Sequence, residues 1–228
     1  MVVSRRKFLT IAFSVVAFGA SAHSLSEHQS TLGDREKYFQ PIDKDAPGFT
    51  LADADGHGVR LADFRGKVVV LHFIYTSCPD VCPLHAERIA EIQSLINHSP
   101  MKAQVQFISI TTDPSRDRGD VLRDYGPAHG LDPINWTFLT TAPGQAEDAT
   151  RNMAVQFGHR FDKAEDGYQT HGIVTHVIDK EGRWRANFHG LQFEPSNLVI
   201  FVNALTDGVE KSHGHPVPTL LQRLRNWF

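Results

Sequence analysis

The run "KVVVLHFIY" (67–75) constrains the fold of this chain more than any other segment. It is rich in β-branched and aromatic residues, and His72 is its only polar interior position. Such a run predicts a strand buried on both faces, and a strand of that kind needs a layer of structure on each side. The following segments supply those layers. "PLHAERIAEIQSLINH" (83–98) predicts a helix with Leu84, Ile89, Ile92 and Ile96 on one stripe. "AQVQFISI" (103–110) and "WTFLT" (136–140) predict strands, and "DPSRDRGDVLRDYG" (113–126) and "PGQAEDATRNMAVQFG" (143–158) predict helices. "GIVTHVID" and "RWRANFHG" flank "KEGR" as a hairpin, and "PSNLVIFVNALTDGVE" (195–210) predicts a final helix. Upstream, "GFTLADADGHGVRLADF" (48–64) reads as a β-hairpin turning at Asp55-Gly56 rather than as a calcium loop, because the later ligands and closing Glu are missing. The pattern predicts an α/β fold with one mixed sheet flanked by helices and an N-terminal β-hairpin.

The ends of the chain read differently. "SRRKFL" (4–9), an apolar run and "SAHS" describe an export signal. Arg5 and Arg6 resemble the bacterial twin-arginine signal. The alternative is an uncleaved anchor, although the apolar run falls short of the roughly 20 residues that span a bilayer. Cleavage before His23 would remove three basic residues and no acid, taking a formal charge of -3 to -6. Neither value supplies the basic field that grips nucleic acid. Residues 1–22 are expected to be signal, 23–44 linker, 45–211 one domain and 212–228 a tail. The expected compartment is the periplasm, where disulfides persist.

The only two cysteines, Cys78 and Cys82, follow the central strand directly, in "SCPDVCPLH" (77–85). Pro79 and Pro83 bias both toward extended backbone. The reading is an exposed, electropositive loop that becomes helix at Pro83. Partial positive charge at a helix N-terminus favours the thiolate, which is both nucleophile and metal ligand. Three intervening residues permit a disulfide or a clamp on one soft ion, Cu(I) or Zn(II). A structural zinc site wants four protein ligands, so two cysteines and one imidazole suit Cu(I) better.

Thirteen histidines compete to be that imidazole. His72 reads as a satisfied core residue and His85 as a neighbour of the site or a surface group. His98, His129 and His159 stand at helix ends. His213 and His215 read as a solvated tail. His171 and His176 lie five apart on one strand, so they face opposite ways. If that strand runs antiparallel to 67–75, His171 starts it at the cysteine end, while His176 packs mid-strand.

The motifs "CPDVCP" (78–83), "FRGKVVVLHF", "ISITTDPSRD" (108–117), "WTFLT" and "THGIVTHVIDKEG" together resemble the Sco (SenC) family of copper-binding proteins over about residues 45–210. The resemblance implies a thioredoxin-like fold and copper ligation by Cys78, Cys82 and His171. It implies delivery of copper to, or reduction of the cysteines of, a CuA centre in a respiratory enzyme, either cytochrome oxidase or nitrous oxide reductase. An upstream copper donor and proximity to a membrane go with that role. Thr170 stands where family members often carry an acid. The competing reading is a thiol–disulfide oxidoreductase that uses Cys78 and Cys82 as a redox pair to keep client cysteines reduced. A peroxidase fits poorly, since "TSC" lacks the Thr/Ser-x-x-Cys spacing of peroxiredoxins.

Overall fold

The computed structural model describes residues 25–163, 169–170 and 172–207. The segment expected to be an export signal, His171 and the tail with His213 and His215 lie outside the described residues. The elements run α1 (Leu25–Arg35), β1 (Phe39–Asp45), β2 (Thr50–Ala52), β3 (Gly58–Arg60), β4 (Val68–Ile74), α2 (Val81–Asn97), β5 (Val105–Thr111), α3 (Asp120–Ala128), β6 (Trp136–Leu139), α4 (Ala149–Gln156), β7 (Asp162–Lys163), β8 (Gln169–Thr170), β9 (Val174–Ile178), β10 (Arg183–His189) and α5 (Pro195–Thr206).

Six strands form one sheet in the order β1-β10-β9-β4-β5-β6. β4, β5 and β6 are parallel, and β9 lies antiparallel to β4 with Leu71 opposite His176 and His72 opposite Thr175. All seven residues of β4 are buried. Val68, Val70 and Ile74 face a core built with α1, α2, α3 and α5. Val69, Leu71 and Phe73 face a second core closed by α4 and the β2–β3 hairpin. Period-2 alternation thus explains why this strand needs no polar face: each side meets its own apolar layer.

Three departures from the sequence reading have physical causes. Residues 23–44 are not simply linker. Leu25 and Leu32 pack α1 into the first core, and β1 pairs with β10 through a register shift between Pro41 and Lys44. The Glu36 carboxylate ties this arm down by accepting from the backbone N–H groups of Tyr38 and Glu194 and from Asn197 Nδ2. The helix expected from Asp113 begins at Asp120 instead: Asp113 O closes a single turn on the N–H groups of Arg116 and Asp117, and Gly119, at φ +52, separates that turn from α3. In α2 the buried stripe is Ala86, Ile89, Ile92 and Ile96, while Leu84 is half-exposed.

Ile89, Ile92 and Ile96 are fully buried, and each contributes roughly 1.5–3 kcal/mol of hydrophobic stabilisation. Ile92→Ala is expected to cost about 2–5 kcal/mol in urea unfolding. Leu84→Ala, on the same helix, is expected to stay within about 0.5 kcal/mol.

Candidate functional site: a dithiol at the mouth of the central strand

β4 ends at Ile74, and Tyr75–Asp80 carry the chain into α2. The helix begins at Val81, two residues before Pro83, so Cys82 lies inside its first turn. Proline is tolerated there because the first N–H groups of a helix have no intrahelical acceptor. Asp80, the N-cap, makes no side-chain capping bond. The Cys78 sulfur fills that role: it accepts from the backbone N–H of Asp80 and of Cys82.

The loop is held from beneath. Asp117 is fully buried and accepts from Thr76 N (3.0 Å), from Thr76 Oγ1, and from Thr111 Oγ1 (2.5 Å). It joins the start of the cysteine loop to the end of β5. Thr112 N donates to Ile74 O (2.9 Å) and closes the same corner.

Both cysteines are free thiols, and both are buried rather than exposed as the sequence suggested. They hydrogen-bond to each other, and their environments pull them apart. Burial pushes the Cys78 thiol up, but the Asp80 N–H, the Cys82 thiol and N–H and the Tyr75 side chain outweigh it and hold Cys78 below its ordinary value of 9.0. Burial pushes Cys82 strongly up, and the neighbouring Cys78 and Asp117 charges add to this against a backbone hydrogen bond from Tyr75. The two sulfurs are thus unequal, and Cys78 gives up its proton more readily than Cys82.

The structure sorts the histidines by sheet face. His72 faces the cysteine side of β4; its Nε2 lies 3.1 Å from Ser109 Oγ, which also accepts from Trp136 Nε1 (2.9 Å). Its Nδ1 has no partner among the described residues, so it is only half satisfied. His85 is buried, with Nε2 2.9 Å from Thr175 Oγ1 and its ring 4.7 Å from that of His72. His176 faces the other core. Trp184 Nε1 can only donate, so it fixes Asn187 Oδ1 as an acceptor; His176 Nδ1 must then donate to the same oxygen. That leaves His176 Nε2 to accept from His159 Nε2 at 3.0 Å. His98 and His129 end α2 and α3. The one cluster of three metal-ligating side chains among the described residues, Asp53, Asp55 and His57, belongs to the β2–β3 turn. There Asp53 Oδ1 accepts from the backbone N–H of both Asp55 and His57.

Sequence reasoning singled out the cysteine pair but missed Asp117 and Tyr75. The "DPSRD" stretch held the signal for Asp117, since a buried carboxylate after a strand end asks for local donors.

A mixed sheet with a dithiol at a strand-to-helix junction defines a thioredoxin-like protein. Residues 40–205 match the SCO1/SenC family model, and the chain belongs to that family. A SCO2-like protein of Rickettsia prowazekii is 29% identical over 168 residues, covering 73% of this chain and 80% of the relative. The crystal structure of a SCO1/SenC family lipoprotein from Bacillus anthracis superposes with a TM-score of 0.66 at 26% identity, covering 73% of this chain and 97% of that one. Arabidopsis thaliana ScoI, solved with copper bound, gives a TM-score of 0.55 at 26% identity, covering 73% and 96%.

Two outcomes follow from these environments. In the metal-free protein, iodoacetamide is expected to modify Cys78 roughly tenfold or more faster than Cys82 at pH 7. The rate should rise with a midpoint below pH 9.0; equal rates by peptide mass spectrometry would contradict the asymmetry. Burial also holds the His72 imidazole at about 3, against an ordinary 6.5. Its contribution to stability is therefore complete above pH 6.5 and is lost as pH falls from 6.5 toward 3, because the unfolded chain binds the proton first. Burial, reinforced by His159, shifts His176 in the same direction. Unfolding free energy should fall by about 2 kcal/mol per such histidine between pH 7 and pH 5. His72→Gln should flatten that slope in urea titrations.

Proposed function

We propose that this chain is a periplasmic copper chaperone. In this reading Cys78, Cys82 and His171 hold one copper ion, which is the cargo, and pass it to a CuA centre of a respiratory enzyme, cytochrome oxidase or nitrous oxide reductase. An upstream donor supplies the ion, and residues 1–22 direct export by the twin-arginine route or serve as an anchor. The observation that carries the reading is the antiparallel pairing of β9 with β4. It brings the start of β9, and Gly172 just before it, to the sheet end where the cysteine loop emerges. His171 is the residue before Gly172. The copper-bound relative supports the choice of metal.

The chemistry suits the donors. Binding Cu(I) replaces two S–H protons, and Cys78 releases its proton the more readily. Cys82 gives up its proton only when the cation offsets the cost of a buried second thiolate. A client thiolate can then displace one ligand at a time, so copper is never released to water.

A second reading rests on the same asymmetry. A thiolate at Cys78 beside a protonated Cys82 is suited to attack a client disulfide, with Cys82 then closing the intramolecular disulfide. The client would gain both electrons and the chain would need an external dithiol to reset.

Copper titration against a competing Cu(I) chelator separates the two. His171→Ala is expected to weaken Cu(I) binding by at least about tenfold while leaving reduction of a model disulfide intact, and Cys82→Ser should abolish both. If the unaltered protein has no Cu(I) affinity, or if its affinity is indifferent to both substitutions, the chaperone reading fails. If His171→Ala retains full CuA assembly in cells, the reductase reading replaces it.

A further inference from the structure

On the outer face of α2, Leu84, Arg88, Glu91 and Leu95 follow one another at helical spacing and form a single stripe. Leu84 and Leu95 are 50% and 49% exposed. Leu84, Glu87, Arg88, Glu91 and Leu191 line a groove of about 310 Å³, with room for a large side chain. Glu91 is held by Arg88 at 2.9 Å, whereas Glu87 faces the His129 imidazole at 3.9 Å. The groove thus has two acids to one strong base. Gly190 N donates to Ile173 O (2.9 Å), which sets Leu191 at the sheet end where the cysteine loop emerges.

Residues 208–228 lie outside the described residues, and their sequence matches this surface. After Pro216 and Pro218, "TLLQRLRNWF" (219–228) predicts a short helix with Thr219 as its cap. At about 100° per residue, Leu220, Leu221, Leu224, Trp227 and Phe228 fall within an arc of about 120°. Arg223 and Arg225 flank that arc, and 211–228 contains no Asp or Glu. So short a helix is marginal alone in water, and its apolar stripe needs a surface. The surface is within reach. Lys180 Nζ donates to Thr206 O and to Gln104 Oε1, so α5 ends near the start of β5, at the other end of α2 from Leu84. Residues 208–218 span roughly 36 Å when extended, and α2 is about 25 Å long.

We propose that residues 219–228 are the occupant of this groove, with Leu224, Trp227 and Phe228 against Leu84 and Leu191 and a flanking arginine on Glu87. The chain thereby covers, with its own residues, an apolar face beside the dithiol, and another polypeptide gains that face only by displacing them. The contact is the same whether Cys78 and Cys82 carry copper or electrons.

Trp136 and Trp184 are 7% and 2% exposed, so acrylamide quenching of the full chain reports on the third tryptophan, Trp227. Trp227→Phe identifies its share of the emission. In dilute, lipid-free solution that share should be shielded. Leu84→Glu, at an exposed position, should raise its quenching several-fold. Glu87→Lys should do the same, and Glu87→Lys combined with Arg223→Glu and Arg225→Glu should restore the shielding. The urea midpoint should not move, because a peripheral segment lifts off before the domain unfolds. A freely quenched Trp227 in the unaltered chain overturns the inference, as does shielding that survives both Leu84→Glu and Glu87→Lys. Shielding that grows with protein concentration assigns the stripe to a second copy, and shielding that requires vesicles of anionic lipid assigns it to a membrane surface; either result overturns docking on α2.

Discussion

The cysteine centre depends on one buried carboxylate. Asp117 receives three hydrogen bonds from Thr76 and Thr111, and bonds of this charge-assisted kind contribute about 1.5–3 kcal/mol each. Thr76 is the first loop residue after Tyr75, and Thr111 ends the neighbouring parallel strand. With both tied to one group, the loop leaves the sheet in a single direction and α2 starts where Cys78 can cap it. The same carboxylate opposes negative charge on Cys82. Loop geometry and the inequality of the two sulfurs thus share a cause.

That inequality suits a protein that handles a soft cation. Two thiolates would repel each other in a buried place, so the pair loses its protons one at a time, from Cys78 first. A metal ion changes the balance because it neutralises both sulfurs at once. The imidazoles around the sheet do not join in this. His159 and His176 are buried among aromatic rings and bonded to each other, and burial keeps His72 neutral, which fits all three for packing more than for ligation.

Much of this architecture was legible in the residue pattern. The uninterrupted apolar run of β4, the Asp55-Gly56 turn and the alternation in β9 and β10 each reflect local chemistry that the tertiary structure keeps. The antiparallel course of β9, assumed in order to choose between His171 and His176, is present in the sheet. What failed was whatever depends on distant partners. α1 has weak periodicity of its own and is stabilised by packing on α5, far along the chain. Pro83 argued against helix at Cys82, yet the preference was overridden because the helix N-terminus had a sulfur to receive its N–H groups. Burial of the cysteines was hidden for the same reason: the core they join is assembled from segments far apart in the chain.

The bulge in β1 has a consequence for how this molecule meets others. An unpaired strand at a sheet border is a template onto which a foreign chain can zip. Here one border ends in a strand broken between Pro41 and Lys44, and at the other Ala52 and Thr140 clasp each other beyond the end of β6. Both flanks are poor ground for lateral growth into fibrils.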